Sequence, residues 1–268
     1  MHGLGNDFVV LDLRKQQFTI DRDIARKISD RHTGIGCDQI LILRRAEEDG
    51  HLATYEFWNA DGSRAEQCGN GVRCLGHYLH RRGETPEGKF TLAGTGGVVK
   101  IECLGNDIIR VDMGRPAFDP IQVPISLEPD EGWYSLAIDH QTYRMGAVSM
   151  GNPHALVVVD SLDTFDVPGI GAAIGANPAF PEGCNVGFAE IEDRRNIRLR
   201  VFERGAAETN ACGSGSCAAV SILRRAKLVD QKVNVTQRGG DLTITWTGGE
   251  DSVIMAGPAT YVFKGIFA

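Results

Sequence analysis

Val201-Phe202-Glu203-Arg204-Gly205 and, four residues on, Asn210-Ala211-Cys212-Gly213-Ser214-Gly215-Ser216-Cys217 hold a strand, a turn and a helix start in succession. Ahead of them Ile197, Leu199 and Val201 alternate with Arg198 and Arg200, the period of a half-buried strand. Beyond them Ala219, Val220 and Leu223 recur at helical spacing, and Arg224, Arg225 and Lys227 crowd the end where cations suit the helix dipole. Cys212 thus opens a helix from a glycine-rich turn. Unpaired N–H groups at such a start favour negative charge, and a thiol so placed can have its pKa lowered from about 8.5 to between roughly 3.5 and 7.5. Cys212 is a candidate base or nucleophile.

The same device occurs earlier. Cys68-Gly69-Asn70-Gly71 opens a segment with Leu75, Gly76 and Leu79 at the offsets that Ala219, Val220 and Leu223 keep from Cys212. Gly5-Asn6-Asp7-Phe8 is echoed by Gly151-Asn152-Pro153-His154, and Gly36-Cys37-Asp38-Gln39 by Gly183-Cys184-Asn185-Val186. Gly5 and Gly151 lie 146 positions apart, Gly36 and Gly183 147, Cys68 and Cys212 144. Three islands in one order at nearly one offset mark two copies of one half.

Strands are expected over 8–13, 40–43, 55–57, 90–92, 98–101 and 108–113, with helices over 21–30 and from Cys68 to about Arg82. Prolines and glycines at 114–124 and 128–132 break both periodicities and mark the boundary. The second half predicts strands at 155–159, 187–191 and 197–202, with a Gly/Pro-rich loop from Pro168 to Gly183. The Cys212 helix follows, then strands at 232–236, 242–246 and 252–255, a break at Gly257-Pro258 and a last apolar strand over Tyr261–Phe267. This is an α+β pattern of two pseudo-symmetric lobes.

The 268 residues suit two domains of common size. With 42% hydrophobic and 24% charged residues the composition is that of a soluble globular protein. A net charge of −7 argues against nucleic acid as a partner, though not against an anionic metabolite in a local pocket. No stretch approaches the ~18 apolar residues of a membrane helix. The start lacks the regions of a signal peptide, and seven cysteines without one point to reduced thiols in the cytoplasm.

Two activated thiols, one from each half, suit a particular chemistry. Facing lobes would aim both helix starts at one ligand carboxylate, stabilising the charge that develops when the adjacent carbon loses its proton. One cysteine as thiolate removes that proton and the other as thiol returns one from the opposite face. The outcome is inversion at carbon, with neither cofactor nor metal.

Met1-His2-Gly3-Leu4-Gly5-Asn6-Asp7-Phe8, Asn59-Ala60-Asp61-Gly62-Ser63, Gln67-Cys68-Gly69-Asn70-Gly71, Met150-Gly151-Asn152-Pro153-His154, Asn185-Val186-Gly187-Phe188 and Glu203-Arg204-Gly205 through Cys212-Gly213-Ser214-Gly215 resemble the diaminopimelate epimerase family. The resemblance runs from Met1 to about Phe267. It implies cofactor-independent interconversion of LL- and meso-2,6-diaminopimelate, for lysine and peptidoglycan precursors. It implies lobes whose strands form a mixed, barrel-like set around a central helix, a final strand returning to the first lobe, and usually a homodimer. The lobes are then 1–112 with 258–268, and 113–257.

Carried over, Cys68 and Cys212 are the acid/base thiols. Gly69 and Asn70, with Gly213 and Ser214, hold the reacting carboxylate. Asn6, Gln39, Asn59, Asn152, Asn185, Glu203 and Arg204 line the substrate site, their mix of charge and neutral donors suiting a distal amino-acid group. His154 and Glu203 tune the thiols, a cationic imidazole lowering a thiol pKa and a carboxylate raising it. Some residues depart from the pattern: Phe263 stands where many members have a tyrosine at dimer contacts, the loop Ala93-Gly94-Thr95-Gly96-Gly97 is unusually glycine-rich, and Cys37 and Cys184 have no assigned role.

Other readings weigh against these. A lone cysteine after a strand is more often buried filler, as Cys74 and Cys217 are expected to be. Alone, His154 would be a turn histidine, Glu203-Arg204 a surface pair worth under ~1 kcal/mol, and Asn59-Ala60-Asp61-Gly62 only a turn. A zinc site or a redox switch would use C-x-x-C pairs, which are missing. A pure amino-acid-binding protein would leave stereochemistry unchanged, and a PLP-independent racemase of another amino acid would use the same thiol pair.

Overall fold

The structure, a computed structural model, describes residues 1–65, 68–85, 87–94 and 96–267; Gln67 and Thr95, quoted above, lie outside them. The chain divides into two compact units, Met1–Asp112 with the segment from Ala256 onward, and Met113–Met255.

In the first unit β1 (His2–Gly3) turns back on β2 (Asn6–Asp12) through Leu4 and Gly5, both left-handed at φ 57° and 84°. Helix α1 (Arg22–Ser29) starts where the Asp21 carboxylate accepts the Ile24 N–H at 2.9 Å. β3 (Gln39–Arg44) runs parallel to β2, and β4 (Ala53–Asn59) antiparallel to β3. β5 (Arg64–Ala65) doubles back on β4 ahead of α2 (Gly69–Arg81). β6 (Lys89–Gly94) lies parallel to β4, and β7 (Gly97–Cys103) and β8 (Ile108–Asp112) continue antiparallel. Helix α2 packs against β1, β2, β7 and β8 and is buried along most of its length, the central helix of its unit. Glycine lets it come that close: a Cβ on Gly76 would stand 2.9 Å from Ile101 Cγ2 and 3.0 Å from Ile109 Cγ2.

The second unit repeats the wiring. A hairpin of β9 (Tyr134–Ile138) and β10 (Gln141–Ser149) precedes β11 (Pro153–Val158), which pairs antiparallel with β10. After α3 (Val167–Gly175), β12 (Asn185–Ile191) runs parallel to β11, and β13 (Asn196–Glu203) antiparallel to β12. β14 (Ala207–Glu208) doubles back on β13, and α4 (Gly213–Arg225) follows. β15 (Lys232–Gln237) lies parallel to β13 and antiparallel to β16 (Gly240–Thr245). β17 (Ile254–Pro258) then carries the chain back into the first unit. Helix α4 packs against β10, β11, β12 and β16. The parallel pairing recurs in each unit, with Phe8 opposite Gln39 in one and His154 opposite Asn185 in the other. The fold is α+β, with four helices and seventeen strands among the described residues.

Several segments differ from expectation, among them the unexpected β9–β10 hairpin and the following three. The Gly/Pro-rich stretch after Pro168 contains α3, started by the Asp166 carboxylate accepting the Gly169 N–H at 3.0 Å, with Pro168 in the first turn where no N–H is needed. Gly257-Pro258 ends β17 rather than breaking ahead of a strand. Tyr261–Phe267 is no strand: Val262, Phe263 and Ile266 are exposed, the Tyr261 ring lies under the Arg81 guanidinium, and Phe267 faces Lys27. Among the described residues no helix is long and apolar enough to cross a membrane.

Candidate active site

Each unit places its expected residues at one end of its strands or at one helix start. In the first, Asn6 opens β2, Gln39 opens the parallel β3, and Asn59 closes the antiparallel β4, so all three share that end. Cys68 is the N-cap of α2, in extended backbone at φ −138° and ψ 109°. Its Sγ donates to Asn6 Oδ1 at 3.6 Å, and Asn70 Nδ2 donates to the same oxygen at 3.4 Å. Asn6 Nδ2 donates to Asp38 Oδ2 at 2.9 Å, which turns the amide oxygen toward the thiol. Gln39 Nε2 donates to Asn59 Oδ1 at 2.8 Å, and Asn59 Nδ2 to Ser63 Oγ at 3.0 Å. Gly69 and Asn70 form the first helical turn.

In the second unit Cys212 is the N-cap of α4, and its Sγ accepts the Gly215 N–H at 3.3 Å. Ser214 Oγ lies 3.5 Å from the same sulfur, and Gly213 begins the helix. Asn185 Nδ2 donates to the Pro153 carbonyl at 3.2 Å, and its Oδ1 accepts the Arg204 N–H at 3.0 Å. The Arg204 guanidinium is exposed and donates to the Glu182 carbonyl at 2.8 Å. Glu203 closes β13, where the Thr209 hydroxyl donates to its carboxyl. Asn152 Oδ1 lies 2.9 Å from His154 Nε2.

Electrostatics corrects two expectations. The Cys212 thiol is pushed well above its ordinary pKa, not lowered: burial raises it and the Glu203 carboxyl raises it further, outweighing Ser214 and the Gly215 N–H. Glu203 is itself raised by burial. His154 is pushed down to about 3 by burial and by Arg204, so it is neutral at physiological pH and supplies no positive charge to a thiol. Glu203, by contrast, acts on Cys212 in the expected direction. Cys74 and Cys217 are fully buried in the helix cores, and burial pushes the Cys74 thiol up to about 12. Among the described residues no group of three or more His, Cys, Asp or Glu is placed to hold a metal ion.

Sequence reasoning missed Asp38, Thr209, Ser216 and Gln237. Asp38 orients Asn6, and Thr209 bonds Glu203. Gln237 Oε1 accepts the Cys212 N–H at 2.8 Å, and Gln237 Nε2 donates to Ser216 Oγ at 3.0 Å. One signal was available: in β15 the inward positions are Val233, Val235 and Gln237, and an amide on the buried face of an alternating strand needs polar partners.

A profile of diaminopimelate epimerases matches residues 1–118 and 146–262. The chain belongs to the diaminopimelate epimerase family. A diaminopimelate epimerase of Xanthomonas axonopodis pv. citri is 46% identical over 266 residues, covering 99% of this chain and 94% of its own. One from Chromobacterium violaceum is 44% identical over 265 residues, covering 99% and 96%. Among solved structures, a phenazine biosynthesis protein of the PhzF family from Bacillus anthracis superposes with a TM-score of 0.65 at 18% identity, covering 98% of this chain and 93% of its own. A hydroxyproline epimerase from Agrobacterium vitis gives 0.64 at 18% identity, covering 88% and 78%. The last two likenesses establish a shared fold. As a member of the diaminopimelate epimerase family, the chain is an isomerase.

Proposed function

We propose that the chain interconverts LL- and meso-2,6-diaminopimelate without a cofactor, through proton transfer between Cys68 and Cys212. The observation that carries this is the duplicated cysteine at the N-cap of a thirteen-residue helix, once in each unit. Relatives at 43–46% identity are named for diaminopimelate, so a racemase of another amino acid is not favoured.

One thiolate takes the α-proton, and the C–H electron pair moves into the carboxylate as an enediolate. The opposite thiol gives its proton to the other face of the carbon, and exchange with solvent resets the pair. The first N–H groups of both helices, at Gly69 and Asn70 and at Gly213 and Ser214, stabilise the developing dianion, each donor supplying roughly 3 kcal/mol. With Glu203 holding Cys212 protonated, Cys212 serves as acid and Cys68 as base in one direction, and they exchange roles in the other. Asn6, Gln39, Asn59, Asn152, Asn185, Glu203 and Arg204 bind the substrate, and neutral His154 holds Asn152. In this reading the protein is cytoplasmic and a homodimer; the exposed apolar Val262, Phe263 and Ile266 support the dimer.

Cys68→Ala or Cys212→Ala abolishes inversion in both directions with the fold intact, measured by a chirality-resolved assay from each isomer. Near-parental epimerisation by either variant would end the two-thiol reading.

A further inference from the structure

We propose that Gln237 is a positioning residue for the Cys212 thiol, a role that rests on the two-thiol reading. Three hydrogen bonds close a ring around the Cys212 peptide. Its N–H donates to Gln237 Oε1 at 2.8 Å, Gln237 Nε2 donates to Ser216 Oγ at 3.0 Å, and Ser216 Oγ donates to the Cys212 carbonyl at 3.0 Å. The ring has a single sense. A backbone N–H can only donate, so the Gln237 amide oxygen must face it and the NH2 must face Ser216, whose hydroxyl proton is then free for the carbonyl. All of this is buried, with Ser216 0% and Gln237 7% exposed. One side chain on β15 therefore fixes both polar groups of the peptide that carries the sulfur, and the Sγ stays over the Gly215 N–H.

The clamp also settles which amides the ligand meets. Helix starts present several N–H groups without intrahelical partners. Gln237 takes that of Cys212, so the carboxylate cradle falls to the next residues, Gly213 and Ser214.

The first unit is built differently at the same places. Val72 stands where the second unit has Ser216, four residues after each N-cap cysteine. Gly94 closes the β6–β7 turn opposite Gly97, as Gln237 closes β15–β16 opposite Gly240. A Cβ on Gly94 would lie 2.4 Å from Tyr55 Cζ, so an aromatic ring fills that space. Neither Val72 nor Gly94 offers the polar side chain that Ser216 and Gln237 supply to the Cys212 clamp.

The experiment uses the full chain with Gln237→Met, Gln237→Glu, Ser216→Ala and Cys212→Ala. It measures kcat and KM for diaminopimelate epimerisation across pH, with mass-spectrometric rates of iodoacetamide alkylation at Cys212 and, as internal reference, Cys68. Gln237→Met loses about tenfold in kcat with KM within about twofold, since a displaced reacting group costs rate rather than binding. Alkylation changes at Cys212 and not at Cys68, and Ser216→Ala does the same to a smaller degree. Gln237→Glu carries the decisive signature. A protonated carboxyl accepts from Cys212 and donates to Ser216, while the ionised form only accepts. Its activity relative to the parent therefore recovers as pH falls. If Gln237→Met folds poorly, that pH-dependent ratio decides alone. Parental kcat in Gln237→Met, or a pH-independent ratio for Gln237→Glu, overturns the clamp while leaving the two-thiol reading standing. Persistent activity in Cys212→Ala sinks that reading itself.

Discussion

Beside Cys212 the Glu203 carboxyl and the Gly215 N–H act on the thiol in opposite senses, and burial adds to the first. A helix start lowers a thiol pKa where water still reaches the sulfur; here the thiol is enclosed beside a carboxyl, and desolvation prevails. Glu203→Gln removes a charge and keeps the shape. Its Cys212 alkylation profile moves to lower pH by about one unit or more, and an unchanged profile would refute the coupling. His154 gives a stability prediction. An unfolded imidazole takes up a proton near 6.5, whereas folded His154 resists until about 3. Between those values the unfolded chain binds more protons, so stability falls as pH drops through that window, by up to about 2 kcal/mol at pH 5. His154→Gln keeps a donor for Asn152 and cannot titrate. Denaturant unfolding at pH 7 and 5 shows a smaller acid loss in that variant, and an equal loss would contradict the assignment.

In α2 the close approach at Gly76 governs packing. Gly76→Ala gains up to about 1 kcal/mol of helix propensity, yet its Cβ would meet Ile101 and Ile109 at 3.0 Å or less. Overpacking of a tight core costs typically 1–3 kcal/mol, so the variant melts lower; a raised melting temperature would mean the β7 and β8 side chains give way freely. The elements legible in the sequence were those whose apolar spacing agrees with their burial: Ile40–Leu43, Tyr55 and Phe57, and Ile197, Leu199 and Val201. Helix α3 was not, because its glycines look like helix breakers. Gly171 is instead a packing glycine, where a Cβ would fall 2.5 Å from Phe202 Cβ. Hairpin β9–β10 hid beside the proline- and glycine-rich boundary. The Tyr261–Phe267 run failed the other way, since apolar character without a paired neighbour makes no strand. The cysteines and asparagines were legible because they sit in local turn motifs. Thr209 and Gln237 were not, because their partners come from other elements.

Over the whole molecule, duplication gives each unit a thiol on a helix start and then sets the two apart. The Asn6 and Asn70 amides meet at Cys68, while Glu203, Ser214 and the Gln237 clamp surround Cys212. A one-thiol mechanism would leave the second helix-start cysteine without a role. Stereoinversion by two distinct bases does need both. The decisive experiment starts from LL-diaminopimelate in D2O and reads deuterium at the α-carbon, at low conversion, in both product and recovered substrate. Two thiols acting from opposite faces place one deuterium on the inverted carbon of the product and leave the recovered substrate unlabelled. Equal label in both pools, or product that keeps its original hydrogen, would mean that a single group serves both faces.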